Sequence, residues 1–459
     1  MTENFWDQVS DYRMAGFDPL RWIPTCSNEL DGDLLQATLG KVKRCSIKID
    51  PNWFDAFYYS EKKVPELTRR VFDFNEHTVE KEVEIRHALS LFQLYSEIGE
   101  NQSLFENVLL NFFKRFQSKV LIRKNTVTLT SHQESQFALL DYVKLHKGDK
   151  VGYTAASNSA TQIIDPTLKL DSEIHSNIAM VKTIDHLNLL GCTSGFKLFP
   201  IYDAASEDML DKIRRNLDAF TSRYNLGMED YSSLKVGKVF FGNTAIANTL
   251  KELPVKYDQV ETGMQVIISN KFGALSAFSL FMLTKMDSSI MSKFEQNDIN
   301  PLKLSAAKDL ILKNLSEPRF SLGRIISKYC PDFGMNFDKS EHIMAVYPVS
   351  SDGIFAVNKL SILTNSEIVI NDIPMAYDGI AKFLTKEFLI ANSTIPANGC
   401  HLIVAPSNIS NLIIEDLRKH YYEPSIIGYI ANKEKPSVKY NTNVRTYLIS
   451  NQKLQSEIL

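Results

Sequence analysis

The chain is poor in the features that would assign it to a specialised class of protein. Only five of its 459 residues are cysteine, and no two of them form a CxxC pair. Such sparse and scattered cysteines are typical of a reducing compartment, and they argue against a disulfide framework or a cysteine-rich zinc site. We therefore expect a cytoplasmic location.

An excess of basic charge is also missing, as is a long apolar run. Lysine and arginine number 51 against 54 acidic residues, for a net charge of −3. This balance predicts neither a nucleic-acid surface nor a membrane surface. The most apolar window, residues 272–286, is interrupted by serines and a lysine and is too short to cross a bilayer. The acidic start, MTENFWDQVSDYR, does not have the pattern of a signal peptide.

What remains is the composition of an ordinary globular protein, with 44% hydrophobic and 23% charged residues. The length allows two or three domains. Segments with helical spacing of apolar residues alternate with short β-branched runs after residue 119, which predicts an α/β (α+β) fold. Residues 61–118 show helical spacing alone. We interpret them as helices that pack on each other or on the rest of the chain.

One stretch, residues 175–203, shows this alternation most clearly. Apolar residues from Ile178 to Leu190 recur at helical spacing, Gly191 follows where a helix would end, and a strand is expected from Phe196 to Ile201. Asn177 and Asp185 lie eight residues apart, within roughly 80° of each other around the helix axis. An amide and a carboxylate on one side of a helix can bind an ion or a phosphate, but a solvated polar face is the simpler interpretation.

Two other sites carry possible chemistry. Cys26 lies in a polar loop before a short helix, where a helix N-terminus would favour a thiolate, although the nearby Glu29 works against it. Lys271 and Gly273 join an apolar strand to a helix, and a glycine and a lysine at a helix start can hold an anion. Taken alone, each pattern also fits an ordinary loop.

The order of these segments resembles selenophosphate synthetase and, more widely, the aminoimidazole ribonucleotide synthetase-like (PurM-like) superfamily. The resemblance covers about residues 20–45 and 120–435, and it includes the KFG, SSDG and NGCHLIVAP segments. It implies an arm with the cysteine loop (1–50), an N-terminal domain (119–287), a C-terminal domain (288–435) and a polar tail (436–459). It also implies a homodimer that uses ATP, Mg²⁺ and a selenide or sulfide substrate. Residues 51–118 are interpreted as a helical insertion that the family lacks.

The resemblance also implies roles for individual residues. Cys26 would be the catalytic nucleophile, Lys271, Gly273 and Asn177 would contact the nucleotide, and Asp185, Asn158 and Asp352 would bind Mg²⁺. Two positions depart from the family pattern, because Glu29 stands where the family has a catalytic lysine and Pro348 where it has a metal aspartate. Losing a lysine and a carboxylate weakens a site that must neutralise triphosphate charge.

Three hypotheses for function follow. The chain is an ATP-dependent phosphotransferase that makes a selenium or sulfur phosphate donor, a catalytically silent homologue that binds a partner or a nucleotide, or another ATP-using enzyme of the superfamily. Glu29 and Pro348 favour the second and third, whereas Cys26, Asp185 and Lys271 keep the first open.

Overall fold

A computed structural model describes residues 2–15, 142–147, 150–161, 165–204, 206–230, 239–286, 288–350, 352–387, 389–390 and 392–448. The predicted α/β (α+β) class is confirmed, because helices and two separate β-sheets are both present. Cys26, Glu29 and the helical segment predicted for residues 51–118 lie outside the described residues. No helix in the described part of the chain is both long and apolar enough to cross a membrane.

Within the described residues, the two sheets have five and six strands. The strand order of the first sheet is β1-β2-β5-β3-β4. Its strands are β1 (Tyr142–Lys147), β2 (Lys150–Thr161), β3 (Ser194–Asp203), β4 (Gly227–Met228) and β5 (Phe240–Thr249). Helix α1 (Thr2–Met14) docks on the same half of the chain. The Tyr12 hydroxyl donates to the Leu168 carbonyl at 3.1 Å. The N-terminal segment is therefore fixed to the body through a buried aromatic side chain.

The second sheet has six strands in the order β11-β8-β10-β6-β9-β7. They are β6 (Gln265–Ile268), β7 (Ala345–Pro348), β8 (Ser366–Ile370), β9 (His401–Ala405), β10 (Ser425–Lys433) and β11 (Ser437–Tyr440). Strand β6 pairs with β9 and β10, whereas the predicted domain boundary at residue 287 groups it with the first half. Strand β11 comes from the predicted tail, and its pairing with β8 makes that segment part of the sheet.

Eight further helices of the described part of the chain cover the sheets. They are α2 (Glu173–Leu189), α3 (Glu207–Tyr224), α4 (Ala274–Met286), α5 (Pro301–Ser316), α6 (Ser321–Lys328), α7 (Ala356–Thr364), α8 (Asp378–Lys386) and α9 (Ser407–Lys419). Ser206 caps α3, since its side chain accepts from the Met209 amide. Such a cap satisfies one of the amides that a helix start leaves unpaired.

Helix α2 is the element around which the two sheets are arranged. It packs on β2 and β5 of the first sheet and reaches β7 of the second. Most of its residues are buried, including both the apolar row predicted from Ile178 to Leu190 and many polar side chains. A helix buried on nearly every side must satisfy its polar groups through protein contacts. Those contacts define the candidate site.

Candidate functional site

The polar residues of α2 are not a solvated face. Asn177 is only 4% exposed and Asp185 only 6%, so the simpler interpretation of their spacing is wrong. The reason is that β7, α5 and α6 cover the side of α2 that the first sheet leaves open. Local spacing cannot reveal such cover, because it depends on segments more than one hundred residues away.

Asp185 reaches the second sheet at the start of β9. One carboxylate oxygen, Oδ2, accepts from the Gly399 amide at 2.8 Å and lies 3.0 Å from His401 Nε2. Burial alone would raise the pKa of Asp185, but the His401 imidazole and the Gly399 amide outweigh burial and hold it below its ordinary value. Asp185 is therefore an anion fixed between the two halves of the chain.

Further titratable groups surround this contact. Burial and the charge of Lys182 lower the pKa of His186 to about 3. Burial also lowers the pKa of Lys182, and the charge of Asp352 partly offsets that effect. Asp352 lies 3.9 Å from Lys359, measured between Oδ2 and Nζ. We name the group formed by Lys182, Asp185, His186, Asp352, Lys359 and His401 the charged cluster.

The predicted phosphate turn lies beside the cluster. Ser269 and Asn270 donate to the carbonyl oxygen of Gly399, at 2.7 Å and 3.3 Å. This places the turn next to the residue that holds Asp185. The side chain of Lys271 lies 3.2 Å from Glu423 and is partly exposed.

The backbone amides at the start of α4 are hydrogen-bonded to other residues of the chain. The amides of Gly273 and Leu275 donate to the carbonyls of Thr394 and Ile395, at 3.0 Å and 3.1 Å. Gly273 has a φ of +76°, a conformation that glycine adopts without strain. Two of the amides that would hold a phosphate thus already have partners in this structure.

Asp352 and Gly273 meet through one turn, residues 392–394. Asn392 donates to the Asp352 carbonyl at 3.1 Å, and the Thr394 hydroxyl accepts from the Ile354 amide at 2.8 Å. The Thr394 carbonyl accepts from Gly273. The structure therefore brings Asp185, Lys271, Gly273 and Asp352 together around the residues that precede β9.

Two further predicted residues are at other points of the fold. Asn158 is on β2, where its Cα pairs with that of Thr244, so this stretch of small residues is a strand. Asn177 lies two turns before Asp185 on α2 and lines a pocket against α3 and α5. Pairing with β5 explains why residues 154–161 are extended despite their small side chains.

The described residues do not offer Mg²⁺ a convincing set of ligands. Among them, no three histidine, cysteine or carboxylate side chains are grouped closely enough to hold a metal ion. Asp185 already accepts from a backbone amide, and Asp352 Oδ1 accepts from the Ser350 amide at 3.1 Å. A Mg²⁺ site normally needs several oxygen ligands in near-octahedral geometry. The metal roles of Asp185, Asn158 and Asp352 stay predictions.

Sequence reasoning missed four of the six residues of the charged cluster, namely Lys182, His186, Lys359 and His401. Lys182 and His186 precede and follow Asp185 on α2, and His401 opens β9. Lys182 lies three residues before Asp185 and His186 directly follows it, a pattern usually found on exposed helices. His401 follows a predicted turn into a strand that is buried on both faces, which was the one available signal for a buried histidine.

The chain resembles known proteins in structure, not in sequence. No protein-family model matches the sequence, and no curated protein is similar to it at a significant level. Thiamine monophosphate kinase from Aquifex aeolicus has a TM-score of 0.47 and 13% identity, over 74% of this chain and 97% of its own. The kinase from Stenotrophomonas maltophilia has a TM-score of 0.44 and 13% identity, over 72% and 95%.

The hydrogenase maturation protein HypE of E. coli is similar to a comparable extent. Its TM-score is 0.42 and its identity 14%, over 73% of this chain and 93% of its own. A similarity as low as this says nothing about what the present chain binds or converts. The function has to be argued from the charged cluster itself.

Proposed function

We propose that this chain binds ATP beside the charged cluster and acts as an ATP-dependent enzyme of the PurM-like class. The supporting observation is the cluster itself, in which two lysines, two aspartates and two histidines are largely withdrawn from water. Burying ionisable groups opposes folding unless each is well paired. Perturbed titratable groups of this kind are concentrated at functional sites.

The resemblance of the segment order to the PurM-like superfamily supports ATP as the ligand. The segments that carry it converge on this cluster, with Lys271 and Gly273 on one side and Asp352 on the other. Lys271 is accessible to an incoming phosphate, since its ammonium is partly exposed and its ion-pair partner among the described residues is the exposed carboxylate of Glu423. A phosphate would compete with Glu423 for it.

The test is ATP binding to the full chain by titration calorimetry, with and without Mg²⁺. Lys271→Gln is expected to weaken binding about tenfold, the effect of losing one charged contact. Lys382→Gln is the matched control, because Lys382 forms a comparable exposed ion pair with Asp378 at 2.7 Å on α8. ATP that fails to bind, or that binds equally well to both variants, would contradict the proposal.

The finer proposal is selenophosphate synthesis with Cys26 as nucleophile. It requires ATP turnover that depends on selenide and disappears in Cys26→Ser. Turnover with another small substrate, and none with selenide or sulfide, would assign the chain to a different PurM-like activity.

A catalytically silent homologue is the second candidate. Two observations favour it. Asp185 and the amides at the start of α4 are already hydrogen-bonded to other groups of the same chain. The described residues also contain no group of three side chains that could hold a metal ion. Under this proposal residues 61–118 are a docking surface. Their deletion should leave a folded chain that loses a binding partner, and retention of every partner would count against it.

A further inference from the structure

A pocket lies on the far half of α2, away from the charged cluster. It is formed by α2, the end of α3 and the helix α5, and it has a volume of about 300 Å³. Asn177 is on its wall, eight residues before Asp185, which separates the two sites by about 12 Å along the helix axis. Ligand sites in proteins range from about 300 to 1,000 Å³. The pocket therefore suits a small metabolite.

The unusual feature of this pocket is the side chain of Asn177. It is only 4% exposed, and its Oδ1 has no hydrogen-bond partner among the described residues. A buried amide oxygen without a partner costs free energy of about 1–3 kcal/mol. A ligand that donates an N–H or O–H would remove that penalty, so the residue favours occupation of the pocket.

The charges on the wall have both signs. Lys313 forms no ion pair with any described residue, and Arg223 lies 3.6 Å from Glu173 and also hydrogen-bonds the side chain of Tyr224. These two cations can receive a carboxylate. Glu173 and Glu317 lie on the same wall and can receive an ammonium group. A highly charged anion such as a triphosphate would be repelled by those same carboxylates.

The remaining wall is apolar or already paired. Leu168, Ile174 and Leu312 give an apolar surface for a short hydrocarbon segment. Lys308 is bonded to Asp165 at 3.2 Å and to Asp309 at 2.9 Å, so it shapes the pocket without being available to a ligand. Size, mixed charge and the unpartnered acceptor all point to the same class of molecule.

We propose that the Asn177 pocket, defined by Asn177, Glu173, Arg223, Lys313, Glu317 and Leu312, is a binding site for a zwitterionic small molecule of the amino-acid type. The carboxylate of the ligand contacts Lys313 and Arg223. Its ammonium group donates to Asn177 Oδ1 and faces the acidic part of the wall. This site is separate from the proposed ATP site, and it does not depend on ATP being bound.

The experiment screens the standard amino acids at millimolar concentration against the full chain by saturation-transfer NMR, followed by calorimetry on the strongest binder. At least one amino acid is expected to bind. Its N-acetyl form and its methyl ester should each bind about tenfold more weakly, because each lacks one of the two charges. No binding by any amino acid, or equal binding by the blocked forms, would overturn the proposal.

Single substitutions test whether the amino acid binds in the Asn177 pocket. Lys313→Gln should weaken binding about tenfold, the effect of one lost charged contact, whereas Lys303→Gln should not change it, since Lys303 is exposed on the same helix outside the pocket. Asn177→Ala should also weaken amino-acid binding. Lys313→Gln should leave ATP affinity unaltered, and a loss of ATP binding in that variant would refute the separate site. Should Asn177→Ala fail to fold, Arg223→Gln makes the same test.

Discussion

His186 shows how burial on α2 changes the chemistry of a single side chain. Its Nδ1 lies 3.1 Å from the Ser157 hydroxyl, and burial together with the Lys182 charge lowers the pKa of His186 to about 3. In an unfolded chain a histidine titrates near pH 6.5. As the pH falls, the unfolded state therefore takes up this proton first, and the folded state loses stability relative to it.

The resulting prediction concerns the acid side of the stability profile. The stabilisation due to neutral His186 is fully present above about pH 6.5 and is lost by up to about 1.4 kcal/mol per pH unit below it. His186→Gln should therefore show a shallower fall in the free energy of unfolding between about pH 6.5 and 5. Urea unfolding at several pH values measures it. The titration of Asp185 does not contribute to this slope, because the pKa of Asp185 is lowered from 3.8 and lies below this pH window.

An unchanged slope in His186→Gln would show that His186 is not buried in its neutral form. The absolute stability of the variant is not the readout, since removing a packed imidazole destabilises the chain at every pH. The difference between the two slopes of unfolding free energy against pH reports the proton uptake of His186 alone.

At the scale of elements, the turn between β7 and α7 depends on close contact with residues 392–394. Gly353 has a φ of +55°, and a Cβ added there would lie 2.3 Å from the Thr394 hydroxyl and 3.1 Å from the Thr394 carbonyl carbon. Gly353→Ala should therefore lower the free energy of unfolding by about 3 kcal/mol, from backbone strain and the displaced turn. Denaturant unfolding measures this loss.

Gly379 provides the matched control for that substitution. It lies in the first turn of α8, and a Cβ there meets nothing within 4 Å. Gly379→Ala should raise the free energy of unfolding by about 0.4–1 kcal/mol, because alanine has less freedom to lose on folding. If the two alanine variants were equally stable, the contact between Gly353 and Thr394 would not be important for this turn.

The helices and strands also show which elements local sequence patterns can predict. Helical spacing and turn residues located α2 and β3 to within a few residues, since these depend on local periodicity. The small residues around Asn158 have no strand pattern of their own, and nothing local shows that β5 pairs with them. His401 and Lys182 were missed for a related reason. Their importance comes from a contact between α2 and β9, which no local pattern contains.

At the scale of the whole molecule, the last described strand lies at the edge of the second sheet. Strand β11 pairs with β8 in parallel, with Val438 opposite Ile368, and the Ser361 hydroxyl donates to the Ser437 carbonyl at 3.1 Å. Without β11, β8 would become an edge strand. All five of its residues are buried, and an uncovered apolar edge pairs readily with other chains.

A chain that ends at Lys435 should therefore be less stable and should self-associate. The loss of packing by Val438 and Tyr440 alone lowers the free energy of unfolding by at least about 2 kcal/mol, and light scattering should show aggregates at concentrations where the full chain gives none. Lys439→Gln is the control, because it removes the ion pair with Glu367 but keeps the strand. A truncated chain as stable and dispersed as this variant would mean that β11 is a surface addition and that the sheet is complete with five strands.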